Sequence, residues 1–354
     1  LDLTDNEQFE IADSLFDVLN IADYYISQTY INNLDWPYNN LKYWRARVPE
    51  SKWRYIIFDL DATLGGVSFA PVEFDALERA LGSYGDTNRH VIILRKLLEN
   101  EDYFKYYINR YCDLVNTVFS AEKFAEAAEV AAKRIEAVVP RHFERWSPEE
   151  NNWRESVEVV KTYLNERPPY AIKYLQEFYG LGNQSELNLN VYPPTAGKIE
   201  LNSVTLKEFP FEGVYFDDIP ISVSVTENAG FRFSHWESNR TDINPTALQN
   251  TLLPVNGDSL TAVFVGNSVY ESLKVFPNPA TDKVNVEFVV NEKQPVGIYL
   301  STIDGQTKFE LFNETLFAGT HRIDLNIPTR LEGVFILSVL TESNRFTEKL
   351  ILTK

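Results

Sequence analysis

A chain of 354 residues with 44% hydrophobic and 14% aromatic side chains is long enough for two to four cores and is not composed like a disordered segment. Its net charge of −18, acidic in both halves, argues against nucleic acid and anionic membrane as partners. One cysteine, Cys112, leaves no internal disulfide, the four scattered histidines argue against a histidine-built metal site, and no apolar run approaches the roughly 18 residues of a transmembrane segment.

The chain opens at Leu1 on the approach to a helix, with neither initiator Met nor signal peptide, and reads as a fragment that begins inside a domain. Thr4 and Glu7 have capping-box spacing, and Ile11, Leu15, Val18, Leu19, Ala22, Tyr25, Ile26 and Tyr30 then follow helical periodicity. Residues 41–46 and 53–58 predict a strand pair joined by Pro49-Glu-Ser-Lys52. Residues 121–139 predict a helix with Phe124, Ala128, Ala131, Ile135 and Val138 on one face. Trp146-Ser-Pro148 and Arg167-Pro-Pro169 predict breaks before a last helix ending at Gly180. From Leu187 the pattern changes to short alternating segments, 187–192, 198–201, 219–225 and 259–264, with a second series from Leu273. The expected fold is multidomain: a mainly α (α+β) part over 1–181, followed by two β-sandwich modules over 184–267 and 270–354.

The chemistry concentrates in Asn33-Leu-Asp35-Trp-Pro-Tyr-Asn39-Asn40 and in Phe58-Asp59-Leu-Asp61-Ala-Thr-Leu-Gly-Gly66, on either side of the strand pair. A hairpin turning near Glu50 lays Asn40 beside Asp59 and Asp61, with Asp35 over the same end. That gathers three carboxylates and an amide, with Asp35, Asn40 and either Asp59 or Asp61 expected within about 8 Å, the span of a shared metal shell. Phosphoryl transfer uses such a group: one carboxylate orients and accepts the hydroxyl proton, while an amide and another carboxylate hold the Mg²⁺ that bridges nucleotide phosphates. Asp35 to Asn40 also has the Asp-x-x-x-x-Asn spacing of a kinase catalytic loop. The bland alternative makes Asp35 and Asn39 turn formers beside Pro37, and Asp59 and Asp61 caps. The residues alone leave both open. A third reading takes Ile56-Ile-Phe-Asp59-Leu-Asp61-Ala-Thr63-Leu as the hhhDxDxT motif of haloacid dehalogenase-type phosphatases, with Asp59 as nucleophile and Asp61 as acid/base. It requires a doubly wound parallel sheet, which the helices expected after Leu64 do not supply.

Asn33 to Arg45 and Lys52 to Asp61, together with Asn109-Arg-Tyr-Cys-Asp-Leu-Val-Asn-Thr-Val-Phe119, Arg141-His-Phe-Glu-Arg-Trp146 and Arg167-Pro-Pro169, resemble the spore-coat protein H (CotH) kinase family across about residues 1–181. The resemblance implies a divergent kinase-like fold in a secreted or coat-associated protein that phosphorylates protein Ser or Thr. Carried over by position, Asp35 is the catalytic aspartate and Asn40, Asp59 and Asp61 are the metal ligands, with the principal one of the two aspartates left open. Lys42 and Arg45 are candidates for phosphate contact or a solvated strand face. ATP and Mg²⁺ are the implied cofactors, conditional on a nucleotide-binding lobe expected to precede Leu1, because no Gly-x-Gly-x-x-Gly and no phosphate-clamping lysine strand occurs here. A surface scaffold whose kinase-like domain has lost catalysis is the competing expectation.

Gly230-Phe-Arg-Phe-Ser-His-Trp236, following Leu187-Asn-Leu-Asn-Val-Tyr-Pro-Pro-Thr-Ala-Gly197, resembles a bacterial internalin-type repeat, expected as a spacer or adhesive surface built on Phe231, Phe233 and Trp236. Pro277-Asn-Pro279 and the hairpin signal Asp304-Gly305 precede Gly333-Val-Phe-Ile-Leu-Ser-Val339 and the closing Lys349-Leu-Ile-Leu-Thr-Lys354. This ordered set resembles the type IX secretion sorting domain. It implies the type IX machinery as a partner and delivery outside the cell or to its surface.

Overall fold

Asp17 divides what periodicity reads as one helix. Its carboxylate accepts from the Asn20 N–H at 3.0 Å and caps α2 (Val18–Tyr30), while α1 (Asn6–Leu15) is closed one residue earlier by the extended residue Phe16. The restart resets the helical phase, so Ile11, Leu15 and Leu19 stay exposed while Ile21, Ala22, Tyr25 and Ile26 are fully buried. The first cap is also not the expected one: Asp5 accepts from Gln8 N–H at 3.0 Å, whereas the Thr4 hydroxyl donates to Asp2. The computed structural model describes residues 1–65, 71–83, 88–146, 153–266, 273–290, 293–328, 331–341 and 345–353.

The strand pair follows as β1 (Lys42–Trp44) and β2 (Arg54–Ile56), then a π-helical turn (Glu78–Ser83), α3 (Arg89–Leu97), α4 (Glu101–Asn116), α5 (Ala121–Ile135), α6 (Val139–Trp146) and α7 (Trp153–Tyr179). On α5, Ala132 rather than Ala131 is buried and Ile135 is exposed, because the helix rests against α7 at the surface; Val138, beyond its end, is exposed too. Helix α7 runs straight through Pro168 and Pro169, against the break expected there. Arg167 holds it in place. Buried to 2% exposure, its guanidinium donates to the carbonyls of Thr29 (3.2 Å), Tyr30 (2.9 Å), Val72 (2.6 Å) and Phe74 (3.0 Å). The tertiary bonds outweigh the prolines' lost donors. The other expected break, at Trp146-Ser-Pro148, lies in part outside the described residues, α6 ending at Trp146.

Beyond Gly180 the chain is β-rich. The first unit comprises β3 (Gln184–Tyr192), β4 (Gly197–Leu201), β5 (Val204–Leu206), β6 (Phe211–Phe216), β7 (Ile221–Glu227), β8 (Phe231–Ser238), β9 (Gln249–Leu252) and β10 (Asp258–Gly266). They form two four-stranded sheets, ordered β6-β3-β10-β8 and β5-β4-β7-β9, in which β3 and β10 run parallel. On β8 one residue, Ser234, is bulged: His235 faces Val263, and Phe233 faces the next residue, Phe264. The extra residue switches the alternation, and so Phe231, Phe233 and Trp236 are all buried despite their odd–even spacing.

This unit shares one core with the helices, running from Leu3 to Phe264. Asp113 of α4, wholly buried, fixes the joint. Its Oδ1 accepts from Asn202 Nδ2 (3.1 Å) and the Tyr215 hydroxyl (2.9 Å), and its Oδ2 from Ser203 N–H (3.1 Å) and the Ser203 hydroxyl (2.6 Å). Burial pushes this carboxyl above its usual range, against the pull of the four donors. Asn109 and Asn116 of the same helix donate to the carbonyls of Pro220 and Val214.

The tail has a second core, Leu273 to Leu352. Its seven strands are β11 (Lys274–Phe276), β12 (Lys283–Val290), β13 (Gln294–Thr302), β14 (Lys308–Leu316), β15 (Gly319–Asn326), β16 (Gly333–Leu340) and β17 (Arg345–Leu352), in sheets β11-β12-β15 and β14-β13-β16-β17. Asp304-Gly305 forms the β13–β14 turn, with Gly305 N–H donating to the Thr302 carbonyl at 2.9 Å.

Candidate functional site

The hairpin is shorter than the sequence predicts and centres on Pro49 rather than Glu50: Lys42 pairs with Ile56, Tyr43 with Tyr55 and Trp44 with Arg54. Asn40 (φ 58°) and Asp59 (φ 56°) flank its open end, both in the left-handed region. That conformation costs an L-residue roughly 1–2 kcal/mol, and Asn and Asp tolerate it best. Asn32 (φ 51°) and Leu64 (φ 56°) share it nearby. The Leu64 N–H donates to the Ile31 carbonyl at 3.0 Å and the Leu34 N–H to the Ala62 carbonyl at 3.2 Å, clipping the segment after Asp61 to the end of α2.

At this corner the Asn40 amide nitrogen lies 3.4 Å from Asp35 Oδ2 and 3.5 Å from the Asp59 carbonyl oxygen. Asp35 begins a turn closed by Asn39 N–H to its carbonyl at 2.8 Å. Trp36 anchors that turn, buried edge-on against Tyr24 and Tyr25. Two residues not singled out in the sequence hold the backbone behind it. Arg79 donates to the Leu34 and Trp36 carbonyls, and Asn88 donates to the Pro37 carbonyl at 2.8 Å. Arg167 does the same for the end of α2, and it had a legible signal: a guanidinium standing in the stripe Leu164, Ala171, Ile172, Leu175.

The carboxylates of Asp35, Asp59 and Asp61 are exposed. Among the described residues no three His, Cys, Asp or Glu side chains gather closely enough to hold a metal. The three carboxylates expected to gather therefore do not form one metal-holding group: the hairpin register is displaced, and one carboxylate, one amide and one backbone carbonyl converge. Two of these, the Asp35 carboxylate and the Asp59 carbonyl, are hard oxygens of the kind Mg²⁺ takes, whereas Asn40 faces them with its amide nitrogen and would have to turn to offer its oxygen. The amide nitrogen between two oxygens marks where positive charge is favoured. Lys42 Nζ sits 3.9 Å over the Phe58 ring, and the Arg45 guanidinium lies 5.2 Å from the Trp53 ring centre. Around Asp59 the described part of residues 1–180 holds only the antiparallel pair β1–β2, so the parallel sheet that the hhhDxDxT reading requires is not found there.

Residues 2–171 match the model of the CotH kinase protein family. The chain carries a CotH kinase domain. That match covers Asp35, Asn40, Asp59 and Asp61 and ends inside α7. Residues 274–353 match the secretion system C-terminal sorting domain, so the CotH domain belongs to a secreted or cell-surface protein, with the type IX secretion machinery as the tail's partner. Among the described residues no helix is long and apolar enough to cross a membrane. No curated protein matches the chain. Among solved structures it is similar to dimeric latent PorU from Porphyromonas gingivalis, at 10% identity over 48% of this chain and 18% of that one, TM-score 0.19. It is also similar to the pullulanase SAP of Group B Streptococcus, at 9% identity over 36% of this chain and 21% of that one, TM-score 0.17. Neither carries an argument about fold or activity at those scores.

Proposed function

We propose that the CotH domain transfers the γ-phosphate of ATP to Ser or Thr hydroxyls of proteins outside the cell, at the Asp35–Asn40–Asp59 corner. The supporting observation is the convergence of these three residues where two adjacent left-handed residues hold the backbone, since strain of that kind collects at functional sites. In this reading Asp35 orients the acceptor hydroxyl and takes its proton as the new oxygen–phosphorus bond forms and the bond to the leaving diphosphate breaks. The Asn40 amide oxygen and the Asp59 carboxylate, with Asp61 beside them, would hold Mg²⁺, which supplies charge neutralisation at the phosphates. Lys42 and Arg45, on the strand leaving the corner, would reach phosphate by leaving their aromatic rests. The first β unit serves as a spacer or adhesive surface of repeat type.

The test is Mg²⁺-dependent transfer from labelled ATP. Asp35→Asn should lower it by about 10²-fold or more, the usual scale of a general base, with folding unimpaired because Asp35 is exposed. The second reading, a scaffold without catalysis, is favoured by the small number of converging side chains. It stands alone if the wild type is inactive and its melting temperature ignores both Mg²⁺ and ATP.

A further inference from the structure

We propose that the outer edge of β1 docks an extended acidic peptide carrying an aromatic side chain, and so presents the acceptor hydroxyl to Asp35. The inference rests on the phosphoryl-transfer reading for its destination, and on three independent observations for the docking itself.

The first is charge. Residues 42–56 carry Lys42, Arg45, Arg47, Lys52 and Arg54 against the single carboxylate of Glu50, in a chain of net charge −18. Lys52 and Arg54 are paired with Asp13 and Asp17. Arg47 has no ion-pair partner among the described residues, and neither does Arg89 at the start of α3. Both are exposed. A local cationic surface on an acidic protein selects an acidic partner, because the remaining surface repels one that lands elsewhere.

The second is an open strand edge. The far side of β2 is occupied: Trp53 N–H donates to the Leu15 carbonyl at 2.8 Å, and Asp17 N–H to the Trp53 carbonyl at 3.0 Å. Among the described residues strand β1 pairs with β2 alone, and all three of its residues are exposed, with Tyr43 at 54% and Trp44 at 47%. Its outer N–H and C=O groups are a template for one more strand, bonded main chain to main chain.

The third is a cavity of about 430 Å³ against the same hairpin, lined by Tyr43, Trp53, Tyr55, His90, Arg54 and Arg89 among others. The Tyr43 ring meets Trp53 at 5.5 Å and 68°, and His90 at 5.6 Å. Tyr55 Oη and His90 Nδ1 are 3.0 Å apart. Its apolar rings and the Arg89 guanidinium, Arg54 being held by Asp17, fit an aromatic side chain with a carboxylate beside it. Tyr43 is three residues from Asn40, and a strand advances about 3.3 Å per residue. A peptide laid along β1 therefore carries its hydroxyl residue about three positions from its aromatic one.

The test measures binding without nucleotide, by fluorescence anisotropy of a labelled Glu-Asp-Tyr-Glu-Asp-Ser-Glu peptide on the whole chain. Changing the peptide's Tyr to Ala, methylating a backbone nitrogen facing β1, or introducing Arg47→Glu with Arg89→Glu into the protein should each weaken binding at least about 10-fold, and added salt should weaken it too. The double charge reversal lies on exposed residues and should leave the melting curve unchanged. Equal binding of a Lys/Arg version of the peptide overturns the proposal, as does indifference to the charge reversal. Tighter binding of phosphatidylserine vesicles or of a DNA oligonucleotide overturns it as well. Asp35→Asn separates the two readings. Binding kept with no transfer by any variant sinks the kinase reading alone, and transfer to the peptide without measurable docking sinks this one alone.

Discussion

Replacing Asp113 by Asn tests whether the helical part and the first β unit fold as one body. All four partners of this buried carboxylate are donors: Asn202 Nδ2, Tyr215 Oη, and the N–H and Oγ of Ser203. An amide puts an NH₂ in place of one acceptor oxygen. If it faces Ser203, the hydroxyl can rotate to accept, but the backbone N–H cannot and is orphaned. An unmade buried bond costs about 1–3 kcal/mol, partly offset because a neutral side chain no longer has to be desolvated as an ion, so roughly 2 kcal/mol is expected for Asp113→Asn and about 4 kcal/mol for Asp113→Ala, which orphans every donor. The pH dependence has a definite sign. Burial raises this carboxyl's pKa, so the folded state holds the proton more tightly than the unfolded state. The contribution is complete below the ordinary carboxylate range and is lost as pH rises through the raised folded value, a dependence that Asp113→Asn should abolish. Urea unfolding should show residues 1–266 melting in one transition, moved as a whole to lower urea by the variant, with the tail separate. Separate helical and β transitions, with the variant shifting neither by more than ~0.5 kcal/mol, would refute the shared core.

Arg167→Met should cost at least about 3 kcal/mol, since four carbonyls, those of Thr29 and Tyr30 in buried bonds, lose a charged donor at once; a thermal melt within ~1 kcal/mol of wild type would show that α7 tolerates Pro168-Pro169 unaided. Asp59→Gly should raise stability by about 1 kcal/mol, because glycine adopts φ near 56° without penalty, while ending any phosphoryl transfer. A lower melting temperature would mean that the Asp59 side chain holds the corner rather than strains it. Deleting the tail from Leu273 onward should leave the melt of the remaining chain unchanged, since the two cores are separate, yet strand the protein inside the envelope. Normal surface delivery of the shortened protein would remove the sorting role.

What was legible in the sequence is what short-range periodicity carries. Tyr25, Ile26 and Tyr30 lie on a buried face because the 3.6-residue period there is unbroken. The hairpin followed from two aromatic runs around Pro49, and its arithmetic brought Asn40 to the Asp59 backbone even though the register was displaced. The misses share a physical cause: each was decided by a partner far along the chain. Phe16 leaves the helix to bridge Trp53, Asp17 serves as cap and as partner of Arg54, and Pro168-Pro169 stays helical because Arg167 reaches Thr29, Tyr30, Val72 and Phe74. Asp113 resembles its acidic neighbours in a linear reading, although a carboxylate among Tyr107, Tyr111, Cys112 and Leu114 on a buried helix face was a signal available to be used. The corner's carboxylates were expected as one metal-holding group because pairing was read as side-chain proximity, and adjacency in a ladder does not fix where side chains point.

The parallel pairing of β3 with β10 gives the protein a mechanical character. A surface protein held by its tail is pulled through Gly266, at the far end of β10, while the chain from the helical part enters at Gln184, at the near end of β3. The two strands lie side by side over Asp258–Leu187 to Val263–Tyr192, so these forces run in opposite directions along the strands. The ladder between them is loaded in shear, all its hydrogen bonds sharing the tension at once instead of opening one after another. In the tail the corresponding parallel link is one bridge, Ala280 to Leu352, so when the protein is stretched between tail and domain in a force spectrometer the tail should yield before the six-residue ladder of the first β unit.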